Sequence, residues 1–262
     1  MRRSFLTPAL WIPAGLAIAL LGLPLVALIV RAPWTQLPEL LGRSEVLQAL
    51  GLSLATASIA TVVSLVLGIP LALVLARSAE WPAVPRRLLR ALVTVPLVLP
   101  PVVGGVALLL LLGRRGLIGQ FLPFQIPFST SAVVIAQVFV AMPFLVLAVE
   151  GAVRASDRRF ETAAATLGAT RWTILRRVTL PLVAPGVSAG ALLCFTRALG
   201  EFGATITFAG SFPGVTQTLP IATYLELQRD PDAAIALSLT LMVVSVAVLV
   251  TLRDRWVPGL TP

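Results

Sequence analysis

Residues 50–76 read LGLSLATASIATVVSLVLGIPLALVLA, with no charged side chain anywhere in the run. A helix needs roughly 20 mostly apolar residues to cross the hydrocarbon of a bilayer. This run exceeds that length, and on either side of it the chain repeats the pattern. Further apolar runs lie at about 8–30, 88–112, 130–150, 183–209 and 233–252. None shows the short period-two alternation of a membrane barrel. The expected fold is all-α: a single membrane domain over residues 1–262, with about six transmembrane helices.

The composition agrees. Hydrophobic residues make up 58% of the chain, charged residues 12%, and the mean hydropathy is +0.97. A soluble domain carries about a quarter charged residues, so the excess apolar surface here requires lipid to cover it. The first run follows Met1-Arg2-Arg3 like a signal peptide, yet it is long and has no convincing small-residue cleavage site before Arg31. It reads as a retained first span.

The net charge is +9, and every basic residue is Arg. No aromatic and basic platform accompanies the charge, so nucleic acid is not expected as a partner. With the N-terminus placed inside, the inner segments hold 14 Arg against 5 in the outer ones, with Arg197 inside a span. Positive charge collects in cytoplasmic loops, so both termini are expected in the cytoplasm.

Absences narrow the chemistry. There is no His and one Cys, Cys194. His-based triads, His metal sites and disulfide frameworks within the chain are excluded, and no catalytic or metal-binding residues are expected. An intramembrane aspartyl enzyme needs Asp within its spans, whereas Asp157, Asp230, Asp232 and Asp254 fall in or at loops.

The longest connection, residues 151–182, is patterned and not loop-like. Ser156 is a plausible N-cap, with Asp157 and Glu161 in the first turn where the helix dipole favours them. Phe160, Ala163, Ala164 and Leu167 form a stripe at helical spacing. Gly168 suits a left-handed C′ position, and Thr170 can cap a second helix containing Trp172, Leu175 and Val178. Such a segment could lie on lipid, pack on its own protein, or enter a groove on a partner. Its alanines give a slim helix, which favours the partner.

Ala163-Ala164, then Gly168, then Val178-x-Leu180-Pro181 resembles the EAA loop of type I ABC importer permeases. The resemblance implies that this segment is a coupling helix seated in a cleft of an ATP-hydrolysing subunit. It carries the coupling role to Glu161, Thr162, Ala163, Ala164, Gly168, Ala169, Leu180 and Pro181. The sequence departs from the pattern at Thr162, where the family has glutamate; Glu161 stands one residue earlier. Three further stretches resemble molybdate permeases: Arg197-Ala198-Leu199-Gly200-Glu201-Phe202-Gly203-Ala204-Thr205, Thr216-Gln217-Thr218-Leu219-Pro220-Ile221, and Leu99-Pro100-Pro101-Val102-Val103 followed by Gly113-Arg114-Arg115-Gly116. Sulfate permeases share the Leu-Pro-Pro and coupling patterns. The resemblance implies a homodimer of this chain in the cytoplasmic membrane, two ATP-binding subunits that use ATP and Mg, and an external oxyanion-binding protein. This chain itself would bind no cofactor.

Arg197 and Glu201, four residues apart in an apolar span, can pair on one helical face. Arg197 either lies near the anion's route or fixes the span through a structural ion pair, and the carboxylate beside it favours the second. Ser188, Thr196, Thr205 and Thr207 are candidate pathway hydroxyls. Pro100-Pro101 with Gly104-Gly105 is expected to break or bend the third span. Gly186-x-x-x-Gly190 is expected to pack helices. The chain has no phosphate-binding P-loop pattern and no lysine, so a transport subunit of this kind takes its energy from elsewhere. A sulfate or thiosulfate permease of the same ABC class is the first alternative; a secondary transporter or channel is a more distant one, since it needs no docking segment.

Overall fold

The computed structural model describes residues 10–253. Among them the regular elements are helices and there is no strand. Five helices are long and apolar enough to span a membrane. They are α1 (Trp11–Val30), α3 (Ser44–Arg77), α6 (Thr130–Ala155), the continuous helix Arg171–Leu199, and α12 (Pro231–Arg253). The Arg171–Leu199 helix comprises α8 (Arg171–Ile174), a π-helical segment Leu175–Thr179, and α9 (Leu180–Leu199). A sixth crossing is a bent pair, α4 (Ala83–Val98) and α5 (Pro101–Leu112), with 118° between its halves.

The third run is therefore not one straight span. Leu99 and Pro100 take extended ψ angles of 134° and 133°. Each precedes a proline, whose ring disfavours helical geometry in the residue before it. Pro101 then opens α5, where its missing N–H costs nothing. The lone prolines behave otherwise. Pro24, Pro70, Pro96, Pro143 and Pro185 all sit inside unbroken helices.

The fifth run also differs from expectation. Its helix begins twelve residues before 183, at Arg171, and stops at Leu199. Residues 203–209 form a separate helix, α10 (Gly203–Ala209), which folds back against α5 and α6. Two more short helices, α2 (Leu37–Gly42) and α11 (Leu219–Glu226), lie in loops that the hydropathy left blank.

The centre of the fold is α6, packed against α3 on one side and α9 on the other. Lipid tails are as apolar as Leu, so helix association in a bilayer rests on close van der Waals packing, which small residues permit. Accordingly α3 buries Ser53, Thr56, Ala57, Ala60, Thr61, Ser64 and Gly68 on one face. On α9, a Cβ at Gly186 would overlap that of Ala152, and one at Gly190 would meet Leu145 at 3.0 Å and Ala148 at 3.1 Å. The Gly186/Gly190 pair is thus a packing motif between α9 and α6. By contrast α1 buries no residue and touches mainly α12.

The segments expected on one side of the membrane gather at one end of the bundle. Arg77 pairs with Glu161, Arg90 with Glu150, and Arg158 with Glu80 at that end. At the other, Arg43 pairs with Asp230, and Thr130 donates to the Val215 carbonyl. Arg2, Arg3 and Arg255 of the charge count, and both chain termini, lie outside the described residues.

Candidate coupling face and membrane interior

The segment expected to couple begins where α6 ends. Ser156 caps α6 at its C-terminus and does not open the next helix: its backbone N–H donates to Ala152 and its hydroxyl to Val153. Arg158 stands at the N-cap without a side-chain bond, and Asp157 before it supplies the local one: its carboxylate accepts from the Arg159 N–H at 2.9 Å. An aspartate side chain can bond its own backbone two residues on, so the turn forms one residue later than the serine suggested. Helix α7 (Arg159–Thr166) follows.

Its end is a Schellman motif. Gly168 has φ +82°, its N–H donates to the Ala165 carbonyl, and the Ala169 N–H donates to Ala164. Those two bonds satisfy carbonyls that a helix end leaves open, and only glycine takes the positive φ without penalty. Thr170 then caps α8, accepting from the Thr173 N–H at 3.2 Å, as expected. The chain thus turns sharply, and the outer side of the turn presents Phe160, Leu167 and Trp172, which are 57%, 88% and 68% exposed. Thr162, Ala163 and Gly168 are exposed beside them, while Ala164 and Ala169 are half-buried.

Glu161 points the other way. Its carboxylate accepts from the Thr179 hydroxyl at 2.6 Å and from Arg77 at 3.3 Å. Arg77 ends α3, and Thr179 closes the π segment. One acidic side chain therefore links α7 to two of the three central helices. Leu180 and Pro181 open α9 directly after Thr179. Neither Arg77 nor Thr179 was distinguishable in the sequence, because their contact with Glu161 is tertiary.

Deeper in the bundle, Arg197 donates to Glu201 at 2.5 Å. Glu201 is 1% exposed and accepts a second bond from the Ala204 N–H at 2.8 Å. The carboxylate thus neutralises one cation and satisfies an open N–H at the start of α10, where the helix dipole favours negative charge. The four candidate hydroxyls do not converge. Ser188 donates to Pro185, Thr196 to Leu192 and Thr207 to Gly203, each within its own helix. Thr205 is buried on α10 without a hydrogen-bond partner. Among the described residues, Gln137 on α6 and Thr218 at the start of α11 are buried and also lack one. Hydropathy averages a lone Gln into the long apolar run around it, so the sequence does not single Gln137 out.

The motif at 216–221 has a structural account. Thr216 accepts from the Phe212 N–H at 2.8 Å and closes a loop, and Ser53 of α3 accepts from the Leu219 N–H at 2.6 Å. Leu219 and Ile221 are fully buried. Glu150, near the end of α6, is 3% exposed and accepts from both Arg90 and Arg154. Among the described residues, no group of three His, Cys, Asp or Glu side chains could hold a metal ion.

Residues 68–258 match the family model described as binding-protein-dependent transport system inner membrane component. The molybdenum transport system permease protein ModB of Mycobacterium tuberculosis is 51% identical over 248 residues, covering 94% of this chain and 93% of that protein. The protein of the same name in Escherichia coli is 40% identical over 213 residues, covering 80% and 92%. The sulfate transport system permease protein CysT of Escherichia coli is 33% identical over 244 residues, covering 89% and 87%. A bacterial ABC transporter involved in the import of the acidic polysaccharide alginate has a chain of the same fold, with a TM-score of 0.74 at 16% identity over 97% of this chain and 95% of that one.

Proposed function

The chain belongs to the family of binding-protein-dependent transport system inner membrane components, and from that premise we propose that it is the membrane-spanning subunit of an importer for molybdate or tungstate, worked by a separate ATPase. The observation that carries the coupling is the exposed tip of α7, held out by the Gly168 turn and tied inward through Glu161. Its apolar side chains, Phe160, Leu167 and Trp172, have the character of groups that fill a partner's groove.

In this reading the coupling end faces the cytoplasm and two copies of the chain line one pathway. An external binding protein delivers the oxyanion to the far end. ATP with Mg closes the ATPase pair and draws the two α7 tips together. Glu161 passes that displacement to α3 through Arg77 and to α9 through Thr179. The spans then exchange one packing for another, a population shift that the ATPase drives. The chain's own residues bind no cofactor and perform no chemistry.

Sulfate is the second reading, favoured by the 33% identity to a sulfate permease over 89% of the chain. Uptake of labelled molybdate by the assembled transporter decides between them. Tungstate is expected to compete strongly and sulfate weakly; strong competition by sulfate overturns the molybdate assignment.

A further inference from the structure

Helix α4 carries Arg86, Arg87 and Arg90 in its first two turns, at spacings that place them on neighbouring positions of one face. With Arg154 of α6, and with Ser78 and Ala79 just after α3, they enclose a cavity of about 290 Å³. Four guanidinium groups share one carboxylate there, the buried Glu150, which takes Arg90 and Arg154. Arg86 reaches only the Ala79 carbonyl, at 3.1 Å, and among the described residues Arg87 has no carboxylate within salt-bridge distance. The pocket is therefore a surplus of forked cations in search of an anion. The rest of α4 is of opposite character. Val84, Leu88 and Leu92 are 67%, 66% and 73% exposed, and Trp81 beside them is 44% exposed. A helix that is basic on one face and apolar on the opposite one, with an exposed indole just before it, belongs at the edge of a bilayer.

We propose that this pocket binds the phosphodiester headgroup of an anionic phospholipid from the leaflet on the coupling side. The guanidinium forks match phosphate oxygens, and basic pockets between spanning helices are suited to such headgroups. The site is independent of which oxyanion is transported.

The test uses the assembled transporter, purified in mild detergent and titrated with phosphatidylglycerol or phosphatidylcholine, with bound lipid read by native mass spectrometry. Phosphatidylglycerol is expected to be retained roughly tenfold better than phosphatidylcholine, since each Arg near a headgroup adds measurably to its attraction. R86Q/R87Q is expected to abolish that preference, and R86K/R87K to keep part of it. Neither position holds Glu150, so the buried ion pairs survive the change; R87Q alone serves if the double variant folds poorly. Equal retention of the two lipids by the unsubstituted protein overturns the proposal, as does a preference unchanged in R86Q/R87Q and in R87Q. Displacement of the lipid by inorganic phosphate identifies a soluble-anion site instead and also overturns it. So does a loss of bound ATPase in R86Q/R87Q with the lipid preference intact, which makes the pocket a protein contact.

Discussion

Thr179 and Glu161, eighteen residues apart, are joined by a 2.6 Å hydrogen bond in which the hydroxyl donates to the carboxylate. Thr179 is 1% exposed and ends the π segment that leads into α9. Such segments are rare and occur frequently at functional positions. The bond therefore fastens α7 to the irregular turn at the entry of α9.

Removing the hydroxyl should loosen that fastening while the docking tip stays intact. A hydrogen bond to a charged group contributes about 1.5–3 kcal/mol; Glu161 is partly exposed, so the lower end applies. Thr179→Val is expected to cut molybdate uptake by roughly tenfold in proteoliposomes, with ATPase binding unchanged. Arg77→Gln should do the same more weakly, since Arg77 is half exposed. Loss of ATPase binding in Thr179→Val would mean that the bond shapes the docking tip and does not transmit its movement.

Gly168 is constrained by backbone conformation and not by space. Nothing lies within 4 Å of an added Cβ there, yet φ is +82°. A left-handed residue other than glycine costs about 1–2 kcal/mol, less for Asn, which visits that region. Gly168→Val is expected to lower both ATPase co-purification and uptake severely, and Gly168→Asn only mildly. Equal effects from the two would place the cause in a contact with the partner.

Gly105 presents the opposite case. A Cβ there would run into the Thr207 hydroxyl and stand 2.7 Å from the Ala204 carbonyl. Overpacking of this kind costs about 1–3 kcal/mol. Gly105→Ala should lower the thermal stability of the purified protein by separating α5 from α10. Adding Thr207→Ala should recover part of the loss and not all, because the Ala204 carbonyl is backbone. Full recovery in the double variant would show that the side chain alone sets the spacing.

Much of this arrangement was legible in the sequence, for reasons that differ residue by residue. Lipid demands unbroken apolar runs, so the spans announce themselves. Gly168 and Thr170 were readable because caps and left-handed turns are local. Arg197 and Glu201 were readable because i, i+4 is a fixed geometry. The break in the third span was readable from Pro100-Pro101, but its 118° angle was not, since hydropathy is continuous from α4 into α5 and registers no direction. The separation of α10 from α9 was hidden in the same way. Arg77, Thr179 and Ser53 were invisible because each meets its partner across 84, 18 or 166 residues of chain.

The ion pair between Arg197 and Glu201 yields an asymmetric prediction. Glu201 is 1% exposed and the Arg197 side chain 29%. Breaking a buried pair from one side costs about 3–5 kcal/mol, because the remaining charge stays desolvated. Arg197→Gln should therefore lose more folded protein than Arg197→Gln with Glu201→Gln, measured by thermal unfolding in detergent. In whichever variants fold, the KM for molybdate is expected to stay within a few-fold of the original. A large rise in KM with stability preserved would instead put Arg197 on the anion's route.

Gln137 offers the sharpest probe of alternating access. Both its amide oxygen and its nitrogen are buried on α6 without hydrogen-bond partners. Such a group costs about 1–3 kcal/mol against a well-packed apolar residue. A protein with one packing gains nothing from it. A protein that exchanges two packings can hold the amide unsatisfied in one and bonded, to water or a hydroxyl, in the other, and the difference biases the exchange. Gln137→Leu is then expected to raise the thermal stability of the purified protein and to slow uptake by several-fold, with docking of the ATPase unaffected. Raised stability with unchanged uptake would show that the amide is merely tolerated, and lowered stability would show that it is bonded in the resting packing after all.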